Sequence, residues 1–172
     1  MSERAIIIGG GAAGFFAAIA CAEANPEMEV IILEKSKNVL EKVKISGGGR
    51  CNVTHACFEP NELVKFYPRG GRELLGPFNR FMTGDLMEWF GDRGIELKIE
   101  EDNRVFPVSD NSQTIIDCLV EFAERAGVQV KNQHAVENFW FEDEKWHVKT
   151  HNKEIWETDK LMVAAGSGKK IW

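Results

Sequence analysis

A short apolar run, Ala5 to Ile8, leads directly into Gly9-Gly10-Gly11-Ala12-Ala13-Gly14. That junction constrains the fold more than any other stretch of the chain. Consecutive apolar, β-rich residues mark a strand covered on both faces, as parallel sheets require. The small residues from Ala12 to Ala24 predict a helix lying unusually close to that sheet, ended by Asn25-Pro26. Glu29 to Leu33 reads as a second strand, finishing at Glu34. Strand, glycine turn, helix and strand form a βαβ unit, whose crossover is right-handed.

The spacing Gly9-x-Gly11-x-x-Gly14, between a strand and a helix, is the context of a dinucleotide-binding turn. Gly9 permits the tight bend, Gly11 lets a pyrophosphate touch backbone, and Gly14 lets the helix approach the strand. Ala12 and Ala13 open that helix, where free N–H groups and a partial positive charge face the phosphates. Glu34 stands twenty residues beyond Gly14, where its carboxylate can accept hydrogen bonds from a ribose diol.

The rest of the chain is less uniform. Residues 55 to 111 give mixed signals, with an amphipathic helix predicted within Phe78 to Gly91 and a short extended piece at 104 to 108. Ser112 to Ala126 is the clearest helix: Ile115, Ile116, Leu119, Phe122 and Ala123 share one face, Ser112 is positioned to cap it, and Gly127 follows. Val128 to Val130 reads as a third parallel strand. Ala135 to Thr158 shows short alternating runs split by charged turns, the pattern of a three-stranded antiparallel meander. Residues 161 to 168, LMVAAGSG, close with a buried strand meeting glycine. No repeat, low-complexity segment or inter-domain linker interrupts the chain.

At 172 residues the chain supports one core, and one domain is expected. A hydrophobic share of 44% with 28% charged residues is that of a soluble globular protein. The net charge of −6 argues against a nucleic-acid partner, and no apolar run reaches membrane-spanning length. Cys21, Cys51, Cys57 and Cys118 form no C-x-x-C pair, which points to reduced thiols in a cytoplasm and away from a zinc knuckle.

A second glycine triplet has no place in a plain NAD-binding unit. KISGGGRCNVTH, residues 44 to 55, begins its glycines at Gly47, thirteen residues beyond Glu34. Together with GGGAAG (9 to 14), LEK (33 to 35), RVFPVS (104 to 109) and LMVAAGSG, it makes the chain resemble FAD-binding flavoproteins of the glutathione-reductase-like superfamily. More narrowly, it resembles the bacterial NAD(P)/FAD-dependent oxidoreductases that include aminoacetone oxidases and bile-acid enone reductases.

That resemblance implies an α/β fold: a Rossmann-like FAD/NAD(P)-binding domain with a central parallel sheet, helices on its faces and the meander. It implies FAD as cofactor, NAD(P)H as a reductant and a small-molecule substrate. It adds Lys35 to the cofactor-binding residues Gly9, Gly11, Ala12, Ala13, Gly14 and Glu34. It places Gly48, Gly49, Arg50, Cys51 and Asn52 along the pyrophosphate, ribityl chain and isoalloxazine. Bare backbone permits that approach, while Arg50 and Asn52 carry donors suited to a polyanionic, carbonyl-rich ligand. Val136 matches a position whose backbone meets adenine, and Ala165-Gly166 a strand end passing beneath the cofactor. Members of the family continue into a substrate domain and a returning C-terminal segment, so the resemblance implies a fragment from the N-terminal part. No catalytic side chain is assigned. An NAD-dependent dehydrogenase and a non-catalytic nucleotide-binding module stand as alternatives.

Other constellations carry less. Cys51 has no partner thiol, which favours an inert packing role. His147 and His151 lie roughly 13 Å apart on a strand, too far to share a metal, so no metal site is assigned. Trp140, Trp146 and Trp156 read as cross-strand packing. Residues 67 to 72, YPRGGR, read as an exposed loop or as a mobile one near a substrate mouth.

Overall fold

The computed structural model describes residues 3–166. Residues 167 and 168 of LMVAAGSG, and the KKIW that follows, lie outside them. In chain order the elements are β1 (Arg4–Ile8), α1 (Ala12–Ala24), β2 (Glu29–Leu33), α2 (Glu41–Ile45), β3 (Thr54–His55), α3 (Pro60–Leu63), α4 (Gly71–Phe78) and α5 (Thr83–Gly91). Then follow β4 (Leu97–Ile99), β5 (Arg104–Pro107), α6 (Ser112–Arg125), β6 (Gln129–Lys131), β7 (Val136–Glu142), β8 (Lys145–Thr150), β9 (Ile155–Thr158) and β10 (Lys160–Val163). They group into two compact units, one of residues 1–43 with 119–172, the other of residues 44–118. Both crossings fall inside helices, α2 and α6, so no change in composition marks them.

The first unit is built on a four-stranded parallel sheet of order β10-β1-β2-β6. The central strands are covered on both faces, which explains their unbroken apolar sequence: Ile6, Ile31 and Ile32 are fully buried. Phe15, Ala18, Ile19 and Ala22 form the buried stripe of α1. The meander β7-β8-β9 is antiparallel, as the alternating sequence predicts. Val148 of β8 joins Ile6, Ile31 and Leu33 in one cluster, against which Val136 and Trp156 also pack. Asp143 and Glu144, both at positive φ, make the two-residue turn from β7 to β8.

Two details differ from the sequence reading. The α6 helix is capped by Asn111, whose Oδ1 accepts from the Gln113 N–H at 2.9 Å. Ser112 instead donates its hydroxyl to the Lys44 carbonyl at 2.8 Å. The third parallel strand starts at Gln129, one residue later than expected, because Val128 belongs to the helix end. Gly127 at φ 77° donates to the Glu124 carbonyl and Val128 to that of Ala123, a Schellman closure that uses the Val128 N–H.

The second unit contains a three-stranded antiparallel sheet, β3-β5-β4. Val105 and Phe106 of β5 are fully buried at its centre. Here α5 is the expected amphipathic helix within Phe78 to Gly91, and a separate helix, α4, precedes it and takes in the last two residues of YPRGGR. Helix α4 closes after Phe78, with the Asn79 amide side chain bonded to the Leu75 carbonyl, and Asp85 accepts the Met82 N–H at the start of α5.

Candidate functional site

In the first unit, the sheet order places β2 on one side of β1 and β10 on the other. The carboxyl ends of β1 and β10 therefore form a topological switch point, the place where open α/β sheets bind ligands. The glycines there serve three distinct purposes. Gly9 sits at φ 113°, and a Cβ on it would lie 2.5 Å from the Ala164 carbonyl oxygen, so only glycine lets the turn pass the end of β10. A Cβ on Gly14 would lie 1.9 Å from the Gly9 carbonyl oxygen, so α1 approaches the turn only because Gly14 is bare. Gly11 differs: nothing lies within 4 Å of where its Cβ would be. Its bareness serves no internal contact and leaves an open backbone surface at the mouth of α1.

The start of α1 is equally free. Gly11 is its cap in extended geometry, no side chain bonds to the first turn, and no acidic residue neutralises it. Ala12 and Ala13 are exposed. Exposed, uncapped N–H groups at a helix N-terminus suit an anionic oxygen.

Glu34, at the end of β2, faces this turn. Its Oε2 accepts the Gly10 N–H at 2.7 Å and its Oε1 accepts the Ser36 N–H at 2.7 Å. Each carboxylate oxygen has a second lone pair, so the acid holds the turn and retains capacity for hydroxyl donors. The Glu34 backbone is fixed too, donating to the Lys131 carbonyl and accepting from His134. Lys35 is exposed beside it. Val136 opens β7 and is half-buried, next to a β-bulge. Ala165 and Gly166 are exposed just past β10, with Gly166 at φ 68°. The first loop, Glu34 and the end of β10 therefore meet along one edge of this unit, as the Gly9–Ala164, Gly10–Glu34 and Ala164–Ile8 contacts show.

In the second unit, Gly47, Gly48 and Gly49 have φ of 55°, 70° and 88°, three successive left-handed residues. A Cβ on Gly47 would strike the Asn52 nitrogen and the Phe106 ring, each at 2.7 Å, so packing demands that glycine. Nothing lies within 4 Å of where a Cβ on Gly48 or Gly49 would be, again an open backbone surface. Cys51 also has positive φ, at 63°, and its N–H bonds to the Ser46 carbonyl. Its thiol is buried, which pushes its pKa up against a smaller opposing effect of the Ser46 hydrogen bond. A protonated, enclosed thiol is a poor nucleophile. Asn52 is exposed. Arg50 is committed: it bonds to Glu100 and Asp110 and lies over the Phe106 ring. Sequence reasoning missed Glu100 and Asp110, since neither sits in a motif and both are tens of residues from Arg50.

Among known proteins, the 3-dehydro-bile acid delta(4,6)-reductase of Clostridium scindens is 28% identical over 164 residues, 95% of this chain and 39% of that protein. The ribosomal RNA dihydrouridine synthase of Escherichia coli is 30% identical over 162 residues, 94% of this chain and 39% of that one. The chain thus spans about 39% of the length of these relatives. Solved structures share the fold at lower identity. The 3-ketosteroid-delta4-(5alpha)-dehydrogenase of Rhodococcus jostii RHA1 gives a TM-score of 0.65 at 16% identity, covering 94% of this chain and 45% of that one. CtdE, solved with FAD and a substrate, gives 0.55 at 17%, covering 96% and 38%. The family model described as the HI0933-like protein Rossmann domain matches residues 3–170, nearly the whole sequence, and the chain belongs to that family.

Proposed function

We propose that the chain is the FAD-binding part of a flavoprotein oxidoreductase acting on a carbon–carbon double bond conjugated to a carbonyl. The observation that carries the cofactor reading is the bare Gly11 backbone at the uncapped start of α1, beside the clamped Glu34. That combination fits a diphosphate followed by a ribose. The α1 amides of Ala12, Ala13 and Gly14 hold the diphosphate oxygens, and the free lone pairs of Glu34 take the ribose hydroxyls. Val136 contributes backbone beside the adenine. Gly48, Gly49, Cys51 and Asn52 lend open backbone and an amide side chain to the flavin half, and Ala165-Gly166 lies beneath it. Bound FAD supplies hydride-transfer chemistry, and NAD(P)H is its reductant.

The bond type is drawn from the relatives. One is named for reducing delta(4,6) unsaturation in a 3-dehydro-bile acid, the other for making dihydrouridine in ribosomal RNA. Each product arises by saturating a double bond in conjugation with a carbonyl. The charge-based expectation of no nucleic-acid partner concerns these 172 residues, not the further length of the relatives. Among the described residues no helix is long and apolar enough to cross a membrane. A cytoplasmic setting is supported by the four free cysteines.

The test is the visible spectrum of the purified protein and the mass of whatever heat releases from it. Flavin bands and the FAD mass are expected. A colourless protein that takes up NADH but not added FAD overturns the reading in favour of a dehydrogenase.

A further inference from the structure

Arg50 is surrounded by its own partners. Its Nη1 donates to Glu100 Oε1 at 2.6 Å and to Asp110 Oδ1 at 3.3 Å, and its Nη2 donates to Glu100 Oε2 at 3.3 Å. The guanidinium carbon stands 3.9 Å from the centre of the fully buried Phe106 ring. A Cβ on Gly47, at the other end of the loop, would lie 2.7 Å from the same ring. Lys98 pairs with Asp110, and Arg104 with Asp102 at 2.7 Å and Glu100 at 3.8 Å. Three cations meet three carboxylates, so this cluster offers an anion no net attraction. A diphosphate drawing on Arg50 would have to displace a two-pronged carboxylate pair, one of the stronger polar contacts a protein makes.

We infer that Arg50 is a latch. Through Glu100, Asp110 and Phe106 it holds the loop in the course that gives Gly47, Gly48, Gly49 and Cys51 their positive φ before any ligand arrives, and it is a positioning residue, not a phosphate ligand. The physical need is plain. Gly47, Gly48, Gly49 and Cys51 all adopt positive φ, and three of them are glycines, the residues with most backbone freedom to lose. Left free, such a segment samples many paths. The guanidinium fork, fixed at its tip by carboxylates and along its plane by a buried ring, ties the loop to the β4–β5 hairpin that carries Glu100 and Phe106. Open backbone at Gly48 and Gly49 is then presented ready-made, which lowers the ordering cost of binding.

The effect on FAD rests on the proposed function, but loop order does not, and the two are separable. The variants are Glu100→Gln, Arg50→Met, their double, and Arg50→Lys, which keeps charge without the fork. Hydrogen exchange of residues 46–52 is measured without FAD, and FAD affinity by fluorescence quenching. A latch requires Glu100→Gln to speed exchange there on the order of 10-fold. It requires the same variant to weaken FAD by about 3- to 10-fold, with the double no worse than Arg50→Met alone. Arg50→Lys should fail to restore binding, and the bound flavin's visible band should lose its fine structure as the loop loosens. Unchanged exchange in Glu100→Gln overturns the latch. So does tighter FAD binding by that variant, since it would mean that removing the carboxylate frees Arg50 for the phosphates. If no variant and no wild-type protein binds FAD while exchange still rises, the latch stands and the cofactor reading falls.

Discussion

The Glu34 carboxylate and the Gly10 amide are joined at 2.7 Å, so the acid at the end of β2 sets the shape of the turn after β1. The same carboxylate takes the Ser36 N–H at 2.7 Å. The acid proposed to take the ribose hydroxyls is thus also a brace. Glu34→Ala is expected to lower stability by about 1–3 kcal/mol and FAD affinity by roughly 10- to 100-fold, since charged hydrogen bonds are lost on both counts. Urea melts and fluorescence titration check this. Loss of affinity with unchanged stability would deny the brace, and the reverse would deny the ribose contact.

Gly11 and Gly14 separate open backbone from packed backbone. In Gly14→Ala the new Cβ meets the Gly9 carbonyl oxygen, so the variant should lose about 1–3 kcal/mol or more, although alanine is the better helix former by roughly 1 kcal/mol. Gly11→Ala meets nothing, and its stability should change by no more than about 1 kcal/mol, the cost of a poorer cap. Its FAD affinity should nonetheless fall at least tenfold, about 1.4 kcal/mol. Equal stability of the two variants would contradict the assignment.

Gly48→Ala tests the second loop. With φ at 70° and open space around it, the substitution strains backbone without a clash, at a cost of roughly 1–2 kcal/mol. Thermal unfolding should show that loss, and no loss would mean the loop relaxes freely.

Asp159 carries an acid-sensitive component of stability. Lys145 bonds to its carboxylate, and the Arg4 N–H at 2.9 Å adds to this, holding its pKa below the usual range. A depressed folded-state pKa means stability that is present above the ordinary value near ~3.9 and lost as pH falls through the folded one. Asp159→Asn should therefore be less stable than wild type at pH 7, with the gap closing as pH drops below about 4. A gap of the same size in strong acid would refute the attribution.

How far the sequence was legible followed the range of the interactions involved. The βαβ unit could be read because each feature is local: buried Ala5 to Ile7 in series, a small-residue helix, and Glu34 at a fixed distance. Helix α1 spans the predicted Ala12–Ala24. The Val128 shift arose because a helix closure and a strand start compete for one N–H, which periodicity does not register. The second unit was read least well. Strands β3 and β4 are two and three residues long, too short for any period, and are held by pairing with β5. In the same way, the glycine triplet announced an unusual loop, while the Glu100 and Asp110 partners of Arg50 lie 50 and 60 residues away in sequence and were invisible.

The central proposal is that each glycine loop meets FAD, and hydrogen exchange with and without FAD tests it most directly. The account requires slowed exchange in peptides covering residues 9–16 and in those covering 46–52 when FAD is added. Protection of neither loop by FAD, or protection of 9–16 by NADH alone, would contradict it.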